Sequence, residues 1–156
     1  ESVLLDWVSL SDLPDWDLHP GFRESLPDLL VPRMSLVVDG ANVVGSRPDG
    51  WWRDRAGAAQ RLLDRLEGLA GRVLMREGKR YLAAHVEVVV EGQARDVADP
   101  PLDSLLRVVR APGSGDDTIV DRSRNLSDVV VVTSDRGLRS RVPDSVPVST
   151  LFEWLS

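Results

Sequence analysis

Three stretches of this chain place an acidic residue just past a β-branched run. They are Leu36-Val37-Val38-Asp39, then Val108-Val109 leading to Gly115-Asp116-Asp117, then Val129–Val132 leading through Thr133 and Ser134 to Asp135. Short apolar runs bounded by turn residues read as buried parallel strands. In an open parallel sheet the carboxyl ends of the strands share one edge, where ligands bind. Three strands would then deliver carboxylates to one place. Their mutual repulsion is costly unless a cation sits among them. Oxygen-only ligands suit Mg²⁺ or Mn²⁺, and such sites commonly act on phosphate esters.

Each position also has a plainer reading. Asp39-Gly40-Ala41-Asn42 follows the first strand directly. Gly40 allows a sharp turn and a close approach of backbone to ligand. Asp39 offers a metal ligand and Asn42 an amide for a phosphate or a water, but the two could simply satisfy backbone groups in an Asx turn. Asp116 and Asp117 fall in a first helical turn, where the helix dipole favours acids by about 0.3–1 kcal/mol each. Two adjacent acids exceed what capping needs, and Asp117 is favoured over Asp116. Asp121, four residues past Asp117, shares its helix face and either reaches the site or pairs with Arg122 or Arg124. Ser134 or Asp135 could cap a following helix. The Ser134 hydroxyl is also placed to orient a carboxylate or bind a phosphate oxygen.

The elements that must position these residues alternate. A strand over Ser35–Val38 is followed by a loop with Gly40, Gly45, Pro48 and Gly50. A helix from about Asp54 to Leu69 carries Ala59, Leu62, Leu63 and Leu66 on one face. Residues 72–84 fit no single pattern. Strands follow at Val86–Val90 and Leu105–Arg110, a helix at Gly115–Asn125, a strand at Val129–Thr133 and a short helix at Arg136–Arg141. A short strand at Val146–Val148 and a helix at Thr150–Leu155, capped by Ser149, close the chain. Alternation of this kind predicts an α/β fold built on a parallel sheet.

The 156 residues suffice for one domain with a proper core. There is no cysteine, which excludes disulfides, thiolate metal sites and cysteine nucleophiles. Only two histidines are present, far apart, so a histidine-rich metal site is not expected. No apolar run approaches the length of a membrane span, and a cytoplasmic protein is expected. The formal net charge is −6. Residues 1–33 hold seven acids and two bases, a net of −5, which leaves residues 34–156 at −1. The broad basic field of a non-specific nucleic-acid binder is missing. Lys79 is the only lysine, so nearly all the positive charge is arginine, which suits bidentate phosphate contacts.

The motifs Val37-Val38-Asp39-Gly40-Ala41-Asn42, Gly115-Asp116-Asp117 and Val132-Thr133-Ser134-Asp135 resemble those of the NYN branch of the PIN-like nucleases, particularly its small bacterial YacP-like members. The resemblance covers residues 34–156. It implies a three-layer α/β/α sandwich and a Mg²⁺- or Mn²⁺-dependent endoribonuclease, either RNA-processing or toxin-like. By position, Asp39 matches the first acid, Asp117 the helix-start acid and Asp135 the strand-end acid. Asp121 falls where a second helical acid is common, and the register between Asp116 and Asp117 is open. Around these acids, Asn42, Ser134, Arg136, Arg53 and Arg55 are the expected RNA contacts. Trp51 and Trp52 either stack a base or, for at least one of them, pack against the sheet. Two other functions compete: a non-catalytic RNA-binding or protein-interaction module on the same fold, and a nucleotide phosphohydrolase. Haloacid-type phosphatases need a second Asp two residues after the first, and position 41 is alanine.

Residues 1–33 differ from the rest. Four prolines allow only short amphipathic turns joined by loops. Leu30-Val31-Pro32-Arg33 matches a protease site common in engineered linkers, so the segment is either a natural leader or a fused partner peptide. Its charge and its leucines and tryptophans predict an arm that packs on the body, either excluding RNA as a phosphate mimic or serving as a structural extension.

Overall fold

The computed structural model describes residues 8, 9, 11–48 and 50–156. Leu4, Leu5, Trp7 and Leu10 of the acidic leader lie outside the described residues. The chain divides into two compact units, Glu1–Pro32 and Arg33–Ser156. In the first, a 3₁₀ turn at Leu13–Asp15 precedes helix α1 at Pro20–Leu29. This helix is longer than the four prolines suggested. Pro20 opens it, where a missing N–H costs nothing, and Pro27 falls in its last turns. His19 Nδ1 accepts the Gly21 N–H at 3.2 Å, and Arg23 donates to the Pro14 and Trp16 carbonyls at 3.0 and 2.6 Å.

The second unit is a three-layer α/β/α sandwich around a mostly parallel sheet. Its strands are β1 (Arg33–Asp39), β2 (Val73–Arg76), β3 (Lys79–Val90), β4 (Leu106–Arg110), β5 (Val129–Val132) and β6 (Ser145–Val146). The order is β2-β3-β1-β5-β6, with β4 also on β3. Only β2 runs antiparallel. The central strands are apolar on both faces because helices cover both. One core cluster joins Leu36, Val38, Val86, Val88 and Val90 to α3 (Arg55–Glu67) and α6 (Val148–Trp154). The other joins Val37, Val89 and Val131 to α4 (Gly115–Asn125) and α5 (Arg136–Arg139).

The unassigned stretch 72–84 is the β2–β3 hairpin, turned by Glu77 and Gly78 with positive φ. Its tip is tied at the amino edge of the sheet. Arg76 makes two hydrogen bonds to Asp144 at 2.6 and 2.7 Å, and Trp154 Nε1 donates to the Met75 carbonyl at 2.8 Å. Two local expectations shift. The loop after β1 begins with a short helix, α2 (Gly40–Gly45). The last helix starts at Val148, after Pro147, so Ser149 lies inside it and does not cap it. Proline at the cap position leaves Val148 N–H to a different partner, described below. Among the described residues no helix is long and apolar enough to cross a membrane.

Candidate active site

From β1 the chain passes to β3 and β4 on one side of the sheet, whereas β5 leads outward to β6 on the other. The carboxyl ends of β1 and β5 therefore flank a topological switch point, where open α/β sheets form a crevice. Val38 pairs with Val132, so the residues that follow, Asp39 and Thr133, face each other across it.

Asp39 is 7% exposed. Its Oδ1 caps α2 by accepting the Asn42 N–H at 3.0 Å, and its Oδ2 accepts the Thr133 hydroxyl at 2.8 Å. Burial pushes its carboxyl above the ordinary range. The Asn42 and Thr133 hydrogen bonds oppose this, and the charges of Asp116 and Glu91 add to it. The turn is possible only because residue 40 is glycine: a Cβ there would stand 2.6 Å from the Val89 carbonyl oxygen. Asn42 links α2 to the β5 side of the crevice, its Oδ1 accepting the Ser134 N–H at 2.8 Å.

Asp135 caps α5, with Oδ1 on the Leu138 N–H at 2.8 Å, and its own N–H donates to Thr133 Oγ1 at 3.1 Å. One oxygen serves the cap, and a carboxylate retains further lone pairs. Asp116, in the first turn of α4, is half-buried. Burial raises its pKa first. The charge of Asp135 raises it further, Arg141 opposes, and Glu91 and Asp117 add to the rise.

Asp117 lies on the outer side of α4. Its side chain is 79% exposed and pairs with Arg141 at 2.5 Å. Successive residues in a helix point about 100° apart, so when Asp116 faces Asp39, Asp117 must turn outward. Asp121, one turn later on that outer side, is exposed, and its charge acts on Arg122. Asp39, Asp116 and Asp135 therefore share one edge, with Asp117 and Asp121 outside it.

The sequence reading missed Glu91. It follows β3, its Oε2 accepts the Gly115 N–H at 2.6 Å, and its charge raises both Asp39 and Asp116. The signal was present: Val86–Val90 ends at Glu91-Gly92 in the same strand-then-acid pattern as the other three. The place of Glu91 at the site depends on β3 lying beside β1, which spacing along the chain does not specify.

The donor set is chemically suited to a hard divalent cation: it offers carboxylate oxygens alone, and neighbouring negative charge adds to the raised pKa of both Asp39 and Asp116. Their oxygens are not gathered into a finished cage. Among the described residues no three acids or histidines stand close enough to hold a metal ion. The cap and turn hydrogen bonds hold Asp39, Glu91 and Asp135 in separate local rotamers.

The fold is shared with Rae1 (YacP) from Bacillus subtilis. A crystal structure of a point mutant of that protein superposes with a TM-score of 0.55 at 16% sequence identity, over 78% of this chain and 74% of that one. No family model matches the chain, and no curated protein does. At this identity the likeness establishes the fold.

The other expected contacts divide. The Ser134 hydroxyl accepts the Val148 N–H at 3.1 Å, which caps α6 in place of Ser149. Arg136 is exposed at the start of α5, next to Asp135. Arg53 is exposed in a 3₁₀ turn at Trp51–Arg53. Arg55 stands over the Trp51 ring, 5.5 Å from its centroid. Trp51 is half-buried and meets Trp52 edge-on, and Trp52 is 56% exposed. A recess of about 130 Å³ lies between Gly40, Ala41, Trp51, Arg55 and Glu91, so Trp51 and Arg55 border the carboxylate edge.

Proposed function

We propose that the Arg33–Ser156 unit is a Mg²⁺- or Mn²⁺-dependent endoribonuclease. One observation carries this reading: Asp39, Glu91, Asp116 and Asp135 come from four separate segments to one sheet edge, where their charges oppose one another. Stability alone does not ask for such an arrangement. The likeness to a YacP protein agrees with the resemblance of the three motifs to YacP-like members of the NYN branch. Asp39, Asp116 and Asp135, with Glu91, would hold the cation, and Asp117 is assigned to the outer ion pair instead. When bound, a divalent cation would supply an activated water and neutralise the phosphodiester's negative oxygens.

The chain's own residues prepare this. Thr133 and Asn42 fix Asp39 and lock the β5 turn against α2. The Asn42 side-chain N–H groups, with no partner among the described residues, are donors for a phosphate oxygen. Arg136 and Arg55, exposed on either side of the crevice, would meet the flanking phosphates, and the ring of Trp51 or Trp52 a base.

A second reading rests on the separated rotamers: a domain that keeps the fold and binds RNA without cutting it. One experiment decides between them. The full chain is incubated with single-stranded RNA in Mn²⁺, beside an assay of nucleoside triphosphate hydrolysis, and Mn²⁺ binding is followed by calorimetry. The nuclease reading expects Mn²⁺ binding and RNA cleavage, both lost in Asp39→Asn and both weakened in Asp116→Asn. RNA binding with neither cleavage nor Mn²⁺ uptake selects the non-catalytic module, and hydrolysis of triphosphates alone selects a phosphohydrolase.

A further inference from the structure

Four arginines of this unit are tied to acids. Arg76, Arg110, Arg122 and Arg141 each pair with a carboxylate. Arg47, Arg61 and Arg65 do not: none makes an ion pair or a side-chain hydrogen bond among the described residues. These three converge on one cleft of about 240 Å³ between α2, α3 and α6, floored by Val43, Val44, Leu62 and Phe152. Arg47 stands 4.4 Å from the centroid of the Phe152 ring, and Arg65 6.0 Å.

This clustering is not what the fold requires. Arg61 and Arg65 are four residues apart on α3, a spacing at which like charges destabilise a helix. Residues 34–156 hold 18 acids and 17 bases, so partners were available in composition. Phe152 offers a ring face that holds guanidinium groups by cation–π attraction without neutralising them. Three guanidinium groups lining one cleft, two of them over an aromatic ring and none paired with an acid among the described residues, are suited to phosphate oxygens and a stacked base. The position gives the direction. Val44 and Leu62 form a wall common to this cleft and to the Trp51–Arg55 recess, and that recess reaches Gly40 and Glu91 at the carboxylate edge. A single polyanionic strand leaving that edge would cross Arg55 and enter the arginine cleft.

We propose that Arg47, Arg61, Arg65 and Phe152 form a second binding site for the phosphate backbone of a single-stranded RNA, several nucleotides from the cutting position. The proposal rests on the ribonuclease reading for the identity of the strand, but its test does not depend on cleavage. The full chain is kept in chelator and titrated with fluorescein-labelled 20-nucleotide oligouridylate across a salt series. A four-nucleotide oligouridylate, uridine monophosphate and polyglutamate are run alongside. In the triple variant Arg47→Gln, Arg61→Gln, Arg65→Gln, affinity for the 20-mer falls at least about tenfold at low salt. The slope of log K against log salt drops by about 2, the value for three lost single-strand phosphate contacts. The triple Arg→Lys variant restores the slope, which excludes a general loss of structure. Losses confined to the longer oligonucleotide support the strand track.

An unchanged slope in the Gln variant overturns it. So does an equal loss for uridine monophosphate, which would mean a mononucleotide site, or for polyglutamate, which would mean a site for acidic protein. Failure of the ribonuclease reading looks different: RNA bound with the arginine-dependent slope and never cut in Mn²⁺.

Discussion

Replacing Asp39 by Asn removes a charge that burial already disfavours, while the amide oxygen can still accept one of the two hydrogen bonds now made to Asn42 and Thr133. Folding stability in Asp39→Asn is expected to stay within about 1 kcal/mol of the parent, the net worth of one hydrogen bond. RNA cleavage is expected to vanish. Urea unfolding and a Mn²⁺ cleavage assay on the same preparation check both halves. A fully active Asp39→Asn protein, with contaminating nuclease excluded, would remove the acid cluster from the chemistry. The neighbouring acids separate more sharply. Asp116→Asn should lower cleavage on the order of a hundredfold, the scale of losing one charge-stabilising group. Asp117→Asn should leave it within a few-fold, because that carboxylate is spent on Arg141. Equal losses in the two variants would restore Asp117 to the site.

Among the elements, α2 and α4 bear the site, and each is fixed by one unusual contact. Gly40 lets α2 start against the Val89 carbonyl. In Gly40→Ala the added Cβ must displace backbone, with an expected cost of about 1–3 kcal/mol as for other overpacked positions. Thermal unfolding gives the size. A stability equal to that of the parent would mean that β3 yields easily there. Helix α4 is anchored by Arg122, which donates from Nε to Glu87 at 2.7 Å and from Nη2 to its other oxygen. Glu87 is 2% exposed on β3 and also meets His85 Nε2 at 2.9 Å. Burial pushes the Glu87 carboxyl up, but the Arg122 and His85 hydrogen bonds outweigh it and hold the pKa below the ordinary value. A depressed carboxylate contributes stability above its unfolded-state pKa and loses that contribution as the pH falls through the folded one. Stability should therefore drop on acidification below the ordinary glutamate range, and Glu87→Gln should flatten that acid limb in a pH series of denaturant midpoints. An unchanged limb would place the acid sensitivity elsewhere. At neutral pH, Glu87→Ala should cost about 2 kcal/mol, below the range for breaking a fully buried pair because Arg122 is 36% exposed.

At the scale of the whole molecule the chain is two compact units joined just before β1. The second unit holds its own core, both helical layers and all four acids of the site. Residues 33–156 made alone should therefore unfold cooperatively, as read by circular dichroism on heating. The acidic first unit gives a second readout. If it competes with RNA as a phosphate mimic, its removal raises cleavage and RNA affinity together. If it is a structural extension, both stay as they were in the full chain. A truncated chain without a cooperative transition would make the two units one folding body.

The α/β alternation, the strands that lead to Asp39 and Asp135, and the helix opening at Gly115 were legible in the sequence, because buried parallel strands must be apolar on both faces and turn residues punctuate them locally. Residues 72–84 were not, although the strand at Val86–Val90 was. The polar first half of β3 pairs with β2 and its apolar second half with β1 and β4, so no single periodicity runs through that strand. The choice between Asp116 and Asp117 depended on the rotation of α4 about its own axis, which Glu87 and Arg122 help to set across 35 positions of sequence. Glu91 joins the site because β3 lies beside β1 and its carboxylate meets the start of α4. The arginine cleft likewise exists only because α2, α3 and α6 pack on one face. Local chemistry can be read from neighbours along the chain, whereas convergence depends on strand order and helix rotation, which long-range packing alone decides.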